Sequence, residues 1–297
     1  MYIPRTAKRR RTTVLFLLPS LIGITVFCLL PIGASIFFSV MDYDLLRPWS
    51  DMEFVGFQNF KRILTGREFP QVVAHTFSYL GMYLPLILFT SVTQALILNK
   101  KFRGHRFFRT VCYTPVITSW VAAAVVWTWV LSGKYGLLNQ LLANLGITGP
   151  AWLSSTKWAM PGIVIAAVWK DTGYYALMVL AALKSIDPTY YEAASIDGAS
   201  GLKKLTAITL PLISPTLFLL IVINIIYGLQ VFDSVLIMTD GGPGGATTVF
   251  LERIYKYAFV QYKMGLASAY SCILFVLILL FTAVQFWLQK KWVNYDA

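Results

Sequence analysis

Charge is scarce in this chain. Only 13% of its 297 residues are Asp, Glu, Lys or Arg, while 57% are hydrophobic and the mean hydropathy is +0.66. A soluble domain carries roughly a quarter charged residues, so an ordinary soluble enzyme or binding module is excluded and a membrane protein is the expectation. Histidine is nearly absent too: His75 and His105 stand alone near the ends of apolar runs and support neither catalysis nor metal binding. The cysteines, Cys28, Cys112 and Cys272, all fall inside apolar runs, where they read as small core residues rather than disulfide or metal partners. No paired-carboxylate, Ser/His or Cys/His arrangement stands out, which leaves a membrane enzyme without support. The phosphate-binding form GxxxxGK[ST] is also missing; Gly133 and Lys134 are followed by Tyr135, so ATP hydrolysis by this chain is excluded.

Long apolar windows are plentiful. A helix needs about 20 apolar residues to cross the hydrocarbon layer. Windows at 13–40, 76–98, 111–131, 158–183, 212–238 and 266–288 meet or approach that length, predicting an all-α polytopic membrane protein with six transmembrane helices. The first follows a basic start, as a secretory signal would, but its apolar run is too long for a signal core and reads as a retained anchor.

Lys and Arg set the orientation. With a cytoplasmic N-terminus, the inside segments hold Arg5, Lys8, Arg9, Arg10 and Arg11, then Lys100, Lys101, Arg103, Arg106 and Arg109, then Lys184, Lys203 and Lys204, then Lys290 and Lys291. The outside segments hold fewer, and acids such as Asp42, Asp51, Glu68 and Glu252 offset them. Both termini are therefore expected in the cytoplasm: a basic N-terminus at 1–12, a six-span domain at 13–288 and a tail at 289–297. The net charge of +12 is then topology and contact with anionic membrane lipids, and no nucleic-acid partner is expected.

One inside connection, 184–211, is longer than its neighbours on that face. Long loops inside compact proteins are usually functional or structured, and this one reads as two short helices. Asp187 can N-cap with Pro188 at the first helical position, and Gly198 can take the left-handed conformation that ends a helix. Ser200 can cap a second helix that Pro211 ends. Tyr190, Ala193, Ala194, Ile196, Leu202, Leu205 and Ile208 are apolar at helical spacing. Either the cytoplasmic ends of the spans cover them, or a cytoplasmic partner does.

The same stretch carries a resemblance. Glu192, Ala193 and Ala194, then Gly198, then Ile208, Leu210 and Pro211 fill every fixed position of the EAA loop of ABC importer permeases. With "VGFQNF" at 55–60 and "MTDGGPG" at 238–244, the chain resembles the carbohydrate-uptake branch, of the maltose-type first permease kind, over essentially its whole length. That resemblance implies a type I importer permease in a bacterial inner membrane. It implies a second homologous permease subunit, a dimer of cytoplasmic ATP-binding subunits that hold ATP and Mg while this chain binds no cofactor or metal, an extracytoplasmic solute-binding protein and a sugar cargo. The ATPase-coupling residues would be Glu192, Ala193, Ala194, Asp197, Gly198, Ile208, Leu210 and Pro211. Small residues at 193 and 194 allow close approach, Gly198 the sharp turn, and Glu192 a charged hydrogen bond to the partner.

Ionisable residues inside spans are expensive and usually face a cavity or a partner. Lys170, Asp171 and Asp233 are the candidates. They either act as interhelical glue, with Lys170 reaching a helix terminus or snorkelling outward, or line a polar path with Tyr174. In the fifth span Asn224, Tyr227, Gly228 and Val231 share one helical face, flanked by Gln230, and the resemblance places these positions at the family's sugar contacts. Lys170 and Asp171 stand where the maltose protein has an apolar residue and a glycine, which implies a different sugar, including one with an anionic group for Lys170 to pair with. An acidic oligosaccharide or a polyol phosphate is the alternative cargo. An ion-gradient-driven secondary transporter is the alternative of another class. The "TDGGPGGATT" segment at 239–248 is either a flexible outside turn or, as the resemblance implies, a gate or binding-protein contact.

Overall fold

The computed structural model describes the backbone of residues 7–100 and 103–294 and the side chains from residue 13 onward. The side chains of Arg5, Lys8, Arg9, Arg10, Arg11 and Lys101, and tail residues 295–297, lie outside the described residues. The chain divides into two compact units.

The first unit runs through residue 66 and resumes at Ile254–Ile273. Helix α1, Thr13–Ser39, has the highest mean hydropathy of the four long candidate spans among the described residues. Its ladder widens to a π turn at Thr25–Leu29, just before Pro31. A proline removes one amide donor and crowds the preceding turn, and a wider turn accommodates both effects. Strands β1, Met41–Asp42, and β2, Glu53–Phe54, form a short antiparallel pair, followed by helix α2, Gln58–Leu64. Asn59, inside "VGFQNF", is buried, and its amide donates to the carbonyls of Ser39 at 3.0 Å and Met41 at 2.8 Å. It thereby ties α2 to the end of α1 and the start of β1, carbonyls that a helix end leaves open.

The second unit, residues 67–253 and 274–297, holds helix α3, Phe69–Asn99, the pair α4, His105–Ile117, and α5, Trp120–Val130, then α6, Leu137–Asn144, and α7, Ala159–Ser185. Then come α8, Pro188–Ile196, α9, Gly201–Leu212, α10, Ser214–Leu229, α11, Asp233–Met238, and α12, Phe250–Tyr255, whose last two residues fall in the first unit. The last helix, α13, Met264–Gln289, begins in the first unit and ends in the second. The core is centred on α7, against which α3 makes the most extensive packing. Small residues allow this: a side chain at Gly173 would run into the carbonyl of Cys112 on α4, and Ala166, Ala167 and Ala176 are fully buried. Close backbone approach through small residues is the usual basis of helix association in lipid.

Among the described residues four helices are long and apolar enough to cross a membrane, or six if each of two bent pairs counts as one span. The bent pairs correct the expectation of continuous third and fifth spans. Between α4 and α5 the chain turns by 100°. Pro115 interrupts the ladder there, Thr118 is extended, and its amide returns to the carbonyl of Pro115 at 3.2 Å. Between α9 and α10 the bend is 67°, and it falls at Ile213 rather than at Pro211. Pro211 stays inside a helical run because a π turn at Leu205–Thr209 precedes it, with the Leu210 amide reaching Leu205. Ile213 lies between Pro211 and Pro215, where two missing donors flank one turn.

Candidate functional site

The connection 184–211 folds as its caps predict. Asp187 accepts from the Thr189 amide at 2.9 Å with Pro188 opening α8. Its carboxyl is held below the usual range, chiefly by that backbone amide and also by the Thr189 hydroxyl. Gly198 has φ of +71°, and Ser200 caps α9 through the Lys203 amide. Two side-chain bonds hold the two helices together: Tyr191 Oη to Thr209 Oγ1 at 2.9 Å and Lys204 Nζ to Ser195 Oγ at 2.6 Å. Outward of that clamp, Glu192, Ala193 and Asp197 are exposed, and so are Ile196 at 88% and Leu202 at 72%. Ala194 and Ile208 are half-buried, as are Pro211 and Leu210, and Leu210 packs against the core. The spans therefore cover the inner end of this element and leave Tyr190, Ile196 and Leu202 open.

A cavity of about 660 Å³ lies in the second unit. Tyr79 and Tyr83 of α3, Trp120 of α5, Asp171, Tyr174 and Tyr175 of α7, and Ile223, Ile226, Tyr227 and Gly228 of α10 line it. Gln230, Val231, Phe232, Asp233, Ser234 and Leu251 complete the wall. The rings of Tyr79 and Tyr83 stack at 5.3 Å, and the Tyr83 hydroxyl donates to Asp171 Oδ2 at 3.0 Å. Gly228 lets α10 approach α3, because a side chain there would crowd Leu80. After Leu229 the helix stops and the chain is unwound through Phe232, at φ −145° and ψ −65°. Non-helical backbone at membrane depth is tolerated where it borders a cavity, and here it carries Gln230 and Val231 into the wall.

Seven of the residues singled out in the sequence meet in this cavity: Asp171, Tyr174, Tyr227, Gly228, Gln230, Val231 and Asp233. Val231 reaches it through the unwound segment and not as the continuation of a helical face. Two others do not line it. Lys170 is 5% exposed, and its ammonium donates to the carbonyls of Pro115 and Val116, each at 3.2 Å, and lies 5.4 Å from the Trp120 ring centre. Adjacent helical positions point about 100° apart, so Lys170 faces the negative C-terminal end of α4 while Asp171 faces the cavity. Asn224 is fully buried, and its amide donates back to Leu220 at 2.8 Å.

Sequence reasoning missed Tyr79, Tyr83 and Trp120. The two tyrosines sit four apart in "SYLGMY" within an apolar helix, a spacing that puts both hydroxyls on one face and could have been read. Trp120 could not, because its place depends on the bend after α4. The segment 239–248 is tightly bonded: Asp240, Gly241, Gly244 and Gly245 have positive φ, and the Thr239 and Thr247 hydroxyls lie 2.7 Å apart. Thr247 also donates to the Gly242 carbonyl at 2.7 Å. Glu252, one of the acids of the outside segments, is fully buried beneath Gly241. Arg253 lies 3.4 Å from its carboxylate and 3.5 Å from that of Glu68, a chain of charges that lowers the cost of burying one.

The family described as "Binding-protein-dependent transport system inner membrane component" matches residues 63–294. The trehalose/maltose transport system permease protein MalF of Thermococcus litoralis is 38% identical over 275 residues, covering 91% of this chain and 90% of that protein. The sn-glycerol-3-phosphate transport system permease protein UgpA of Yersinia pestis is 33% identical over 284 residues, covering 95% of each. A crystal structure of a bacterial ABC transporter that imports the acidic polysaccharide alginate contains a chain that superposes with a TM-score of 0.83 at 26% identity, covering 97% of this chain and 98% of that one.

Proposed function

The chain belongs to the family of binding-protein-dependent transport system inner membrane components, and from that premise we propose that it is the permease subunit of an ATP-driven sugar importer. It forms half of a pathway with a second homologous permease, receives cargo from an extracytoplasmic solute-binding protein and performs no chemistry itself. The sugar is supported by the trehalose/maltose relative and by a cavity whose aromatic rings offer flat faces to sugar C–H surfaces while carboxylates and an amide accept and donate hydrogen bonds.

One observation carries the energetic part of the reading. Residues 184–211 form a pre-capped pair of helices that exposes Ile196 and Leu202 on a chain without a phosphate-binding loop. A cytoplasmic ATPase dimer, holding ATP and Mg, docks there through Glu192, Ala193, Ala194, Asp197 and Gly198. Ile208, Leu210 and Pro211 continue the element into the core, and motion passes to α10 across the bend at Ile213. The bent pairs each count as one span, giving six spans with both termini in the cytoplasm and 289–297 as a tail. The bonded 239–248 segment is the outside gate or binding-protein contact.

The test is vanadate-sensitive uptake in vesicles with and without the ATPase subunit. Uptake is expected only with ATP and all subunits. Gradient-driven uptake without the ATPase would overturn the reading and leave a secondary transporter. An anionic cargo is the second reading, favoured by the glycerol-phosphate relative.

A further inference from the structure

The cavity wall carries two acids and no base. Asp171 and Asp233 line it with Tyr79, Tyr83, Trp120 and Gln230, and neither Lys, Arg nor His is among the lining residues. The nearest cation in sequence, Lys170, cannot swing in without abandoning two carbonyls and the Trp120 face, and only 5% of it is exposed. The two acids are set differently. Asp171 is half-buried and takes one hydrogen bond, from Tyr83, on one of its two oxygens. Asp233 is exposed at the first residue of α11, and its side chain has no hydrogen-bond or ion-pair partner among the described residues. Each therefore has acceptor capacity left for a ligand.

Resting on the sugar-importer reading, we propose that Asp171 and Asp233 are a charge filter: this cavity takes sugars without an acidic group and discriminates against sugars bearing a carboxylate, sulfonate or phosphate. Ionised carboxylates are acceptors only, and hydroxyl groups of an uncharged sugar satisfy them with charge-assisted bonds. An acidic sugar meets the same oxygens as like charges, in surroundings where apolar walls and aromatic rings weaken screening and enlarge the repulsion. The wall offers an anion hydroxyl, indole and amide donors but no cation to pair with, which leaves its charge uncompensated on desolvation. Lys170 is a positioning residue in this account. It holds the carbonyl end of α4 and the ring of Trp120, and the charge that reads the cargo is negative.

The test uses the complete assembly in proteoliposomes, with one solute-binding protein throughout, and two labelled probes of equal length, maltotetraose and tetragalacturonate. Because the same binding protein serves every permease variant, a change in the ratio of the two uptake rates reports the permease. Wild type is expected to take up the neutral probe at least tenfold faster. Asp171→Asn with Asp233→Asn should shrink that ratio threefold or more by raising galacturonate uptake, while neutral uptake falls as its charge-assisted bonds weaken, and the amount of assembled permease in the membrane is the check on folding. Asp233→Asn alone, at an exposed position, should shift the ratio in the same direction and serves if the double variant is poorly inserted. Equal wild-type uptake of both probes, or a ratio unmoved by the Asn variants, overturns the filter. Neutral uptake that persists without ATP overturns the importer reading instead, and the ratio remains readable.

Discussion

The helical pair at 187–212 and the cavity are built on opposite plans. The pair is local: caps at Asp187 and Ser200, a left-handed turn at Gly198 and two side-chain bonds all lie within about two dozen consecutive residues. Tyr190, Ile196 and Leu202 point away from the protein, while Leu210 packs against the core. The cavity is distributed: α3, α5, α7, α10, α11 and α12 each contribute, and the Tyr83 to Asp171 bond joins positions 88 apart in sequence. A local element can be shaped to fit a partner without disturbing the core, whereas a distributed cavity changes shape whenever its helices shift. In the proposed importer, placing the two in one chain, joined by α9, the bend at Ile213 and α10, would let a push at the surface reach the cargo.

The largest expected effect comes from deforming the local element at its turn. Gly198 has φ of +71° and open space around a would-be side chain, so steric crowding is not the difficulty. The difficulty is the backbone, since a β-branched residue at positive φ costs roughly 1–3 kcal/mol. Gly198→Val should rotate α8 against α9 and cut sugar-stimulated ATPase activity tenfold or more, while membrane insertion and the amount of assembled permease stay unchanged. ATPase stimulation at the wild-type level would mean that the turn does not set the docking geometry. The cavity, by contrast, should bind cargo normally in this variant.

A smaller effect is expected from loosening the distributed part at its own break. Lys170 donates to two carbonyls that the bend after α4 leaves open, and charged hydrogen bonds are worth about 1.5–3 kcal/mol. Lys170→Met should slow uptake several-fold and lower the thermal midpoint of the solubilised permease. Lys170→Arg should recover part of both, because the guanidinium can reach the same carbonyls. The losses are expected to be equal for neutral and acidic probes, measured as uptake rates in parallel. A loss confined to acidic probes would place the ammonium in the cavity after all.

These contrasts also explain what could be read from the chain. The caps and turn of the helical pair are consecutive-residue chemistry, so Asp187, Pro188, Gly198 and Ser200 announce themselves in order. The span count was nearly legible, since hydropathy reports length and apolarity. It does not report bends, and the third and fifth spans were read as straight because Pro115 and Pro215 lie within otherwise apolar runs. Those missed bends account for the errors at the cavity. An unbent third span leaves no open carbonyls for Lys170 and no reason for Trp120 to reach the wall. An unbroken fifth span puts Val231 on the Asn224 face, whereas the unwound residues 230–232 give it another direction. The burial of Glu252 is illegible in the sequence for a similar reason: it depends on a turn whose positive-φ residues fold over it.

The smallest expected effect returns to the local element, at its first cap. Asp187 is fully exposed, and its carboxyl sits below the usual value of 3.8 because the Thr189 amide and hydroxyl stabilise the charged form. A depressed carboxylate contributes stability that is present above its unfolded pKa and is lost as pH falls through the lower, folded value. The contribution of Asp187 to α8 is thus complete at neutral pH and disappears on acidification below about pH 4. Asp187→Ala should raise the hydrogen-exchange rate of the Thr189 amide at pH 7, after correction for intrinsic exchange. Asp187→Asn should raise it less, because a neutral oxygen still caps. As pH falls through the lowered pKa of Asp187, the wild-type rate should approach that of the Asn form. A wild-type protection equal to that of Asp187→Ala at pH 7 would show that Pro188 and the clamp from Tyr191 to Thr209 hold α8 without its cap, and would shift the rigidity of the helical pair from its start to its base.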